Sequence, residues 1–579
     1  AIIHSVKHII LTPPFILAIT IALTASPPLA RAANTGEHIN AAEYLPAVHA
    51  LNNARYDIAS AHLEQVSQSD PDNNTILNQH LSLALRTQRL DVARDAAAEV
   101  VARRDENEDN LSVTLAHLVL AAFAVKDKEY KDALELLARV DGQSNAALSP
   151  FGYTPVVGLL KAVSLAALDN EPAALRAIRV IGETEGWEDA GLIFEVLVLH
   201  HLGRADEAVD IGLQAVEDEI LDVPQAVLLI GAILQESGRA DEAEALYADS
   251  LTRSMGEYRV RDRLFELRAG NAPAPLSSTP ADAAARFLTE LSRIEASIPT
   301  LRNAALDSIS LALILSDTDA DTLYVSGSLW ETLRDYESAL AAYALVPADG
   351  ALGWKAMLQR AQIHIYQDDY DAALALLEDL PDRWEHHDRA FLLGNLHRYR
   401  EEWDESAAAY GEALERYPRE GRGLWRLHYL RGIAYERGDM WPRAEQDFLS
   451  ALELEPDEAN VLNYLAYTWT EQDRNLDEAL EMLERAIAFE PESGHIIDSL
   501  GWVYYKLGSF DLATRYLEAA ASYLPDDPVV NDHLGDAYWR GGRLREARVQ
   551  WRRALGGGDH PEGEEYLREK LENGLDGAF

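Results

Sequence analysis

Between residues 460 and 540, aromatic, amide and carboxylate side chains recur at matched positions. They are Asn463 and Tyr467, then His495, Asp498, Trp502 and Tyr505, then Asp532, Asp536 and Trp539. Rings supply contact area, while Asn, Asp and His pair with backbone N–H and C=O groups, so the set suits recognition of an extended peptide. It does not suit bond-making. No His-Glu-x-x-His pair, no Gly-x-Ser-x-Gly elbow and no phosphate-cradling Gly-x-x-x-x-Gly-Lys occurs in the 579 residues. Cysteine is absent, which removes thiolate nucleophiles, disulfides and cysteine-ligated zinc. His200-His201 and His386-His387 are adjacent pairs, and helix neighbours point about 100° apart, so neither pair closes on one metal ion. Carboxylate runs such as Asp206-Glu207 and Asp241-Glu242 read as solvated helix faces. The expectation is a chain with no catalytic residue, no metal and no cofactor.

Charge narrows the partners. Acidic side chains number 97 against 51 basic ones, a formal charge of −46. Phosphate backbones need a basic stripe, so nucleic acid is not expected as a partner, and an anionic membrane surface is disfavoured for the same reason. Hydrophobic content of 48% is enough for a folded chain. The expected partners are other proteins or extended peptides, with no small-molecule substrate.

The elements that must position these residues are written in a ladder of small residues. It runs Ala59, Ala93, Ala133, Ala174, Ala208, Ala243, Ala305, Ala339, Ala373, Ser406, Ala444, Ala479, Ala513, Ala547, and seven of its thirteen gaps are 33 or 34 residues. A period of that length marks stacked two-helix units. Near the C-terminus each unit has a small residue where two helices cross, an aromatic three later, the ladder alanine, a large residue four on, another alanine and a closing proline. Gly432, Tyr435, Ala444, Phe448, Ala451 and Pro456 make one such unit, and Gly501, Tyr504, Ala513, Leu517, Ala520 and Pro525 make another. The last reads Gly535, Tyr538, Ala547, Trp551, Ala554. Small residues admit close helix approach and large ones fill the adjoining holes, so these positions are packing signals. This is the tetratricopeptide grammar. It predicts an all-α superhelical solenoid of about 14 helix-turn-helix repeats in two arms, with the nine residues named above lining the concave groove from the first helix of each unit.

Five segments follow. Residues 1–32 read as a signal peptide: Lys7, with His4 and His8, precedes the apolar run 9–23, and Ala30-x-Ala32 fits cleavage after Ala32. Residues 33–269 form a first array with degenerate repeats, in which Leu81 and Val196 replace the small residue. The Pro/Ser/Gly stretch 270–280, Gly270-Asn-Ala-Pro-Ala-Pro-Leu-Ser-Ser-Thr-Pro, reads as a linker. Residues 281–555 form the second array, whose first unit carries Arg293 at the small position. Residues 556–579 are a tail whose polar helix, 561–571, caps the last apolar face. The leader makes the expected location periplasmic, with anchoring in the inner membrane by an uncleaved N-terminus as the alternative.

The run Asn463-Tyr-Leu-Ala-Tyr-Thr-Trp, followed by Asp477-Glu-Ala-Leu, is similar to a known pattern, as are Asp498-Ser-Leu-Gly-Trp-Val-Tyr-Tyr-Lys-Leu-Gly and His533-Leu-Gly-Asp-Ala-Tyr-Trp. Over 460–555 the chain resembles a family of proteobacterial cell-envelope tetratricopeptide proteins. Its best-known type is a Pseudomonas outer-membrane lipoprotein, the adaptor of a periplasmic carboxyl-terminal processing protease. The resemblance implies a non-catalytic scaffold or adaptor, with that serine protease and cell-wall hydrolases as partners. The lipidated cysteine of that type is missing here, so the chain is not expected to be a lipoprotein. An assembly scaffold for an envelope export complex, for polysaccharide or outer-membrane components, is the alternative. The motifs include no two-lysine carboxylate clamp.

Overall fold

The computed structural model describes residues 41–575 except 53–55, 70–73, 104–110, 142–152, 184–187, 218–223, 254–257, 269, 271–278, 299–300, 349–350, 381–386, 418–422 and 559. The leader expected at 1–32 lies outside the described residues. Within them the chain forms thirty α-helices and no strand, the all-α build that the period predicts.

All fourteen ladder residues, from Ala59 to Ala547, are fully buried, Ser406 included. They sit where the second helix of a unit crosses the first, and the glycines opposite them leave room for a ring. A Cβ added to Gly394 would stand 2.5 Å from the Tyr410 ring, and one added to Gly432 would stand 2.7 Å from Phe448. The ladder serine keeps its hydroxyl satisfied by donating to the Gly394 carbonyl at 2.9 Å. Most pairs are joined by a tight turn with a residue in the left-handed region, for example Glu401 (φ 60°) and Gly508 (φ 75°). The amides beyond it reach back, Gly508 N–H to Tyr505 O at 2.9 Å and Ser509 N–H to Tyr504 O at 2.8 Å, which satisfies the last carbonyls of the first helix.

The chain forms two compact units, one ending at Arg360 and the other starting at Ala361. The linker expected at 270–280 is described only at Gly270, a turn residue with φ 79°, and at Thr279 and Pro280. There a capping box starts the helix Pro280–Ala296: Thr279 Oγ1 accepts from the Asp282 amide at 3.1 Å and donates to its carboxylate at 2.8 Å. The helices after it belong to the first unit. Helix Arg302–Leu315 lies against Asn74–Arg86 and Leu111–Lys126, and helix Pro280–Ala296 lies against Thr154–Ala167 and Glu188–His201. All four are first helices of their repeats, so this hairpin covers the inner face of the first array. Phe287 meets Phe194 edge to face with centroids 3.5 Å apart, the Ser310 hydroxyl donates to the Leu85 carbonyl at 3.0 Å, and Lys126 pairs with Asp317 at 2.9 Å. Helix Leu111–Lys126, LSVTLAHLVLAAFAVK, is apolar around nearly its whole girth because it is buried on both sides.

The second unit stacks regular pairs from Tyr370–Glu378 through Leu544–Gly556 and ends in the helix Gly563–Asn573. Residues 561–571, expected as a cap, fall largely within that helix. Its Leu567 is buried, and Leu571 packs on the cluster of Leu534, Ala537, Tyr538 and Trp551.

Candidate protein-binding groove

The nine predicted residues come from three first helices, Ala459–Glu471, Gly494–Lys506 and Pro528–Arg540. Spacings of three, four and seven residues put them on one stripe of each helix. The structure brings seven of them into one inner-face assembly: Tyr467, Asp498, Trp502, Tyr505, Asp532, Asp536 and Trp539. His495 stands exposed, and Asn463 is half-buried with an Oδ1 that has no hydrogen-bond partner among the described residues.

Trp502 is the centre of the assembly and is buried. Its indole lies between Tyr505, 4.6 Å away, and the His533 imidazole, 3.9 Å away, with both rings near parallel. Its Nε1–H donates to Glu471. Tyr467 approaches the same imidazole at 6.4 Å. Burial, and then the nearby charges of Glu471 and Asp498, hold the Tyr467 hydroxyl well above the usual phenol range. Asp498 is itself buried and meets His533 Nδ1 at 3.0 and 3.2 Å. Burial opposes a charge on His533, yet the Asp498 carboxylate prevails and holds the imidazole above its ordinary value.

The other two carboxylates are closed by the chain's own tail. Lys570, only 1% exposed, places Nζ 2.8–2.9 Å from both oxygens of Asp532 and 2.9 Å from both oxygens of Asp536. The Tyr566 ring covers the ammonium at 4.3 Å, and Asp536 also accepts from Trp551 Nε1–H at 2.9 Å. Burial, with Asp532 alongside, pushes the Asp536 carboxyl up to about 6. Asp532 keeps a value below the usual range: burial raises it, but His560 and Lys570 outweigh that. Burial would discharge Lys570, but Asp536 and Asp532 hold it protonated above its usual range. Trp539 packs on Trp551 with centroids 5.3 Å apart, beneath Arg548. Predicted as peptide ligands, Asp532 and Asp536 are thus occupied from within.

The partners that sequence reasoning left out are His533, Lys570 and Tyr566. The repeat itself contained the signal for two of them. His533 stands 35 residues after Asp498, and Lys570 stands 34 after Asp536, each one period further on. The tail helix is therefore placed as one more first helix. Among the described residues no cluster of His, Asp and Glu could hold a metal ion, and no helix is long and apolar enough to cross a membrane.

Comparison with known proteins agrees with this build. Residues 44–109, 391–439, 429–493 and 499–561 match the tetratricopeptide repeat family. A TPR repeat-containing protein of Pseudomonas aeruginosa is 30% identical over 151 residues, 26% of this chain and 22% of that protein. A lipoprotein NlpI homolog of Haemophilus influenzae is 37% identical over 90 residues, 15% of this chain and 27% of that protein. The matched stretches thus span about a quarter of the length of these curated relatives. Among solved structures, the APC/C hetero-tetramer Cut9–Hcn1 aligns with 92% of this chain and 96% of its own at 15% identity, with a TM-score of 0.37. The chain therefore carries tetratricopeptide repeats over the matched residues, within an all-helical build of stacked helix pairs, a fold that typically serves as a scaffold for other proteins.

Proposed function

We propose that the chain is a non-catalytic adaptor of the bacterial cell envelope that recruits substrates to a periplasmic carboxyl-terminal processing protease. One observation carries the binding role. The inner face of the second unit keeps aromatic and polar side chains in solvent, Tyr399 and His495 among them, whereas the inner face of the first array is covered by its own hairpin. The envelope setting rests on the leader pattern at 1–32 and on similarity to a Pseudomonas TPR protein and a lipoprotein NlpI homolog. In this reading the chain is periplasmic and carries no lipid on cysteine.

The test is reconstitution after capture. Full-length chain is used as bait on the native envelope fraction, and the captured proteins are identified by mass spectrometry. A captured carboxyl-terminal processing protease is then assayed for cleavage of a cell-wall hydrolase with and without the chain. Capture of the protease and faster cleavage are expected. Capture of polysaccharide-export or outer-membrane assembly components alone, with cleavage unchanged, would replace the adaptor reading with that of an export scaffold.

A further inference from the structure

The charge of the second unit is sorted between its helices. The first helices His387–Tyr399 and Leu424–Arg437 carry five arginines against Asp388 and Glu436. Their outer partners Trp403–Arg416 and Trp441–Leu454 carry seven carboxylates against two arginines. In a chain of net charge −46, a basic inner face is the opposite of what composition supplies.

Two of those arginines, Arg426 and Arg437, are left to solvent and to rings. Arg431 is consumed by Asp447, with both bonds at 2.7 Å, and Arg389 donates to the Leu377 carbonyl at 2.7 Å. Arg398, Arg426 and Arg437 meet no carboxylate among the described residues. Each lies over an aromatic ring instead: Arg398 on Tyr399 at 4.4 Å, Arg426 on Trp425 at 6.0 Å, Arg437 on Trp403 at 5.4 Å. Arg398 is half-buried, with its Nε buried and the Tyr410 and Tyr399 hydroxyls engaging it. Arg426 and Arg437 are exposed, and a guanidinium parked on a ring there keeps its N–H edges open and loses little further freedom on binding a carboxylate. Arg426, Tyr429, Ile433 and Arg437 fall at i, i+3, i+7 and i+11, one face of their helix, with Tyr429 and Ile433 half-buried as an apolar floor. The next first helix adds Asn463, whose Oδ1 has no partner among the described residues. Beyond it, the acidic end of the same face is already neutralised by Lys570.

We propose that the inner face of the helix Leu424–Arg437 docks an extended acidic peptide segment of a partner protein, its carboxylates on Arg426 and Arg437 and its backbone continuing toward Asn463. This deepens the scaffold reading and rests on it. Arg426 and Arg437 stand eleven residues apart on one helix, about 16 Å at its rise per residue, and an extended chain covers that in about five residues. The favoured ligand therefore carries Asp or Glu about five residues apart, with apolar or aromatic residues between.

The probe is a fluorescein-labelled twelve-residue peptide with Glu at every fifth position and Ser, Tyr or Leu between, titrated with the full-length chain by fluorescence anisotropy. A matched Lys peptide and a labelled oligothymidine are the controls. Saturable binding is expected, weakened about tenfold in Arg426→Gln/Arg437→Gln and markedly by added salt. Both side chains are exposed, so an unchanged circular-dichroism melt certifies the variant's fold. Equal affinity of the variant, equal binding of the Lys peptide, binding of oligothymidine in place of the peptide, or no binding at all would each overturn the assignment. Envelope proteins captured equally by wild type and variant would overturn it too, while leaving the scaffold reading standing. Loss of all capture by wild type would remove both.

Discussion

Lys570 shows how a single side chain decides what the acidic end of the groove does. Two carboxylates stand side by side in a buried site, and one ammonium satisfies both. Removing one member of a buried ionic group costs about 3–5 kcal/mol because the remaining charges are left uncompensated. Lys570→Ala should destabilise the last repeat by that order at pH 7, read as faster amide exchange across 528–573. Burial pushes the Asp536 carboxyl up to about 6, so the loss should shrink at pH 5, where Asp536 is largely protonated and leaves Asp532 as the remaining charge. A second residue-scale prediction lies in the first unit. Glu295 accepts from the Ser308 hydroxyl at 2.8 Å, with Asp307, Arg86 and Tyr153 in the same seam. Burial, with Asp307 adding to it, pushes Glu295 up to about 8 from its usual 4.5. The folded state therefore binds more protons than the unfolded chain between those values. The associated stability is complete below about pH 4.5 and is lost as pH rises through 8. Thermal unfolding at pH 5, 6.5 and 8 should show that decline, and Glu295→Gln, which keeps an acceptor for Ser308, should flatten it. An unaltered slope in the variant would exonerate Glu295.

Among the elements, the turns offer the cleanest test. Glu401 sits in the left-handed region, where a Cβ costs about 1–2 kcal/mol and glycine costs nothing. Glycine also loosens the unfolded chain, so the net gain is smaller. Glu401→Gly should stabilise the second unit by about 0.5–1 kcal/mol in denaturant titration. A loss of stability would mean that this exposed side chain makes a contact the turn needs. The elements also show where the sequence was legible. The ladder positions, the crossing glycines and the capping helix follow from packing rules that act within one repeat and its neighbour. The covering of the first array by the helices Pro280–Ala296 and Arg302–Leu315 does not, because it joins residues such as Leu85 and Ser310 that are 225 apart. Its trace was local and compositional. A helix reading LSVTLAHLVLAAFAVK has no polar face to give to solvent, so something must cover its second side. The groove residues were half legible for a related reason. Spacing places Asp498, Trp502, Asp532 and Asp536 on the inner face, but their being paired internally depends on His533 and Lys570, one period further along the chain.

At the scale of the whole molecule, stability and recognition should respond to salt in opposite directions. A formal charge of −46 over 579 residues makes the folded chain repel itself, and its exposed ion pairs return little of that cost. Raising ionic strength from about 10 to about 300 mM shortens the Debye length from roughly 30 Å to below 8 Å, which screens the repulsion between surface carboxylates. The melting temperature should therefore rise by several degrees over that range. Any partner held by Arg426 and Arg437 should be released over the same range, since its attraction is screened by the same ions. The pairing of these two trends separates charge-steered docking from apolar packing. An apolar interface would keep or gain affinity as the fold becomes more stable, so parallel trends in melting and binding would assign the partner to the half-buried rings rather than to the arginines.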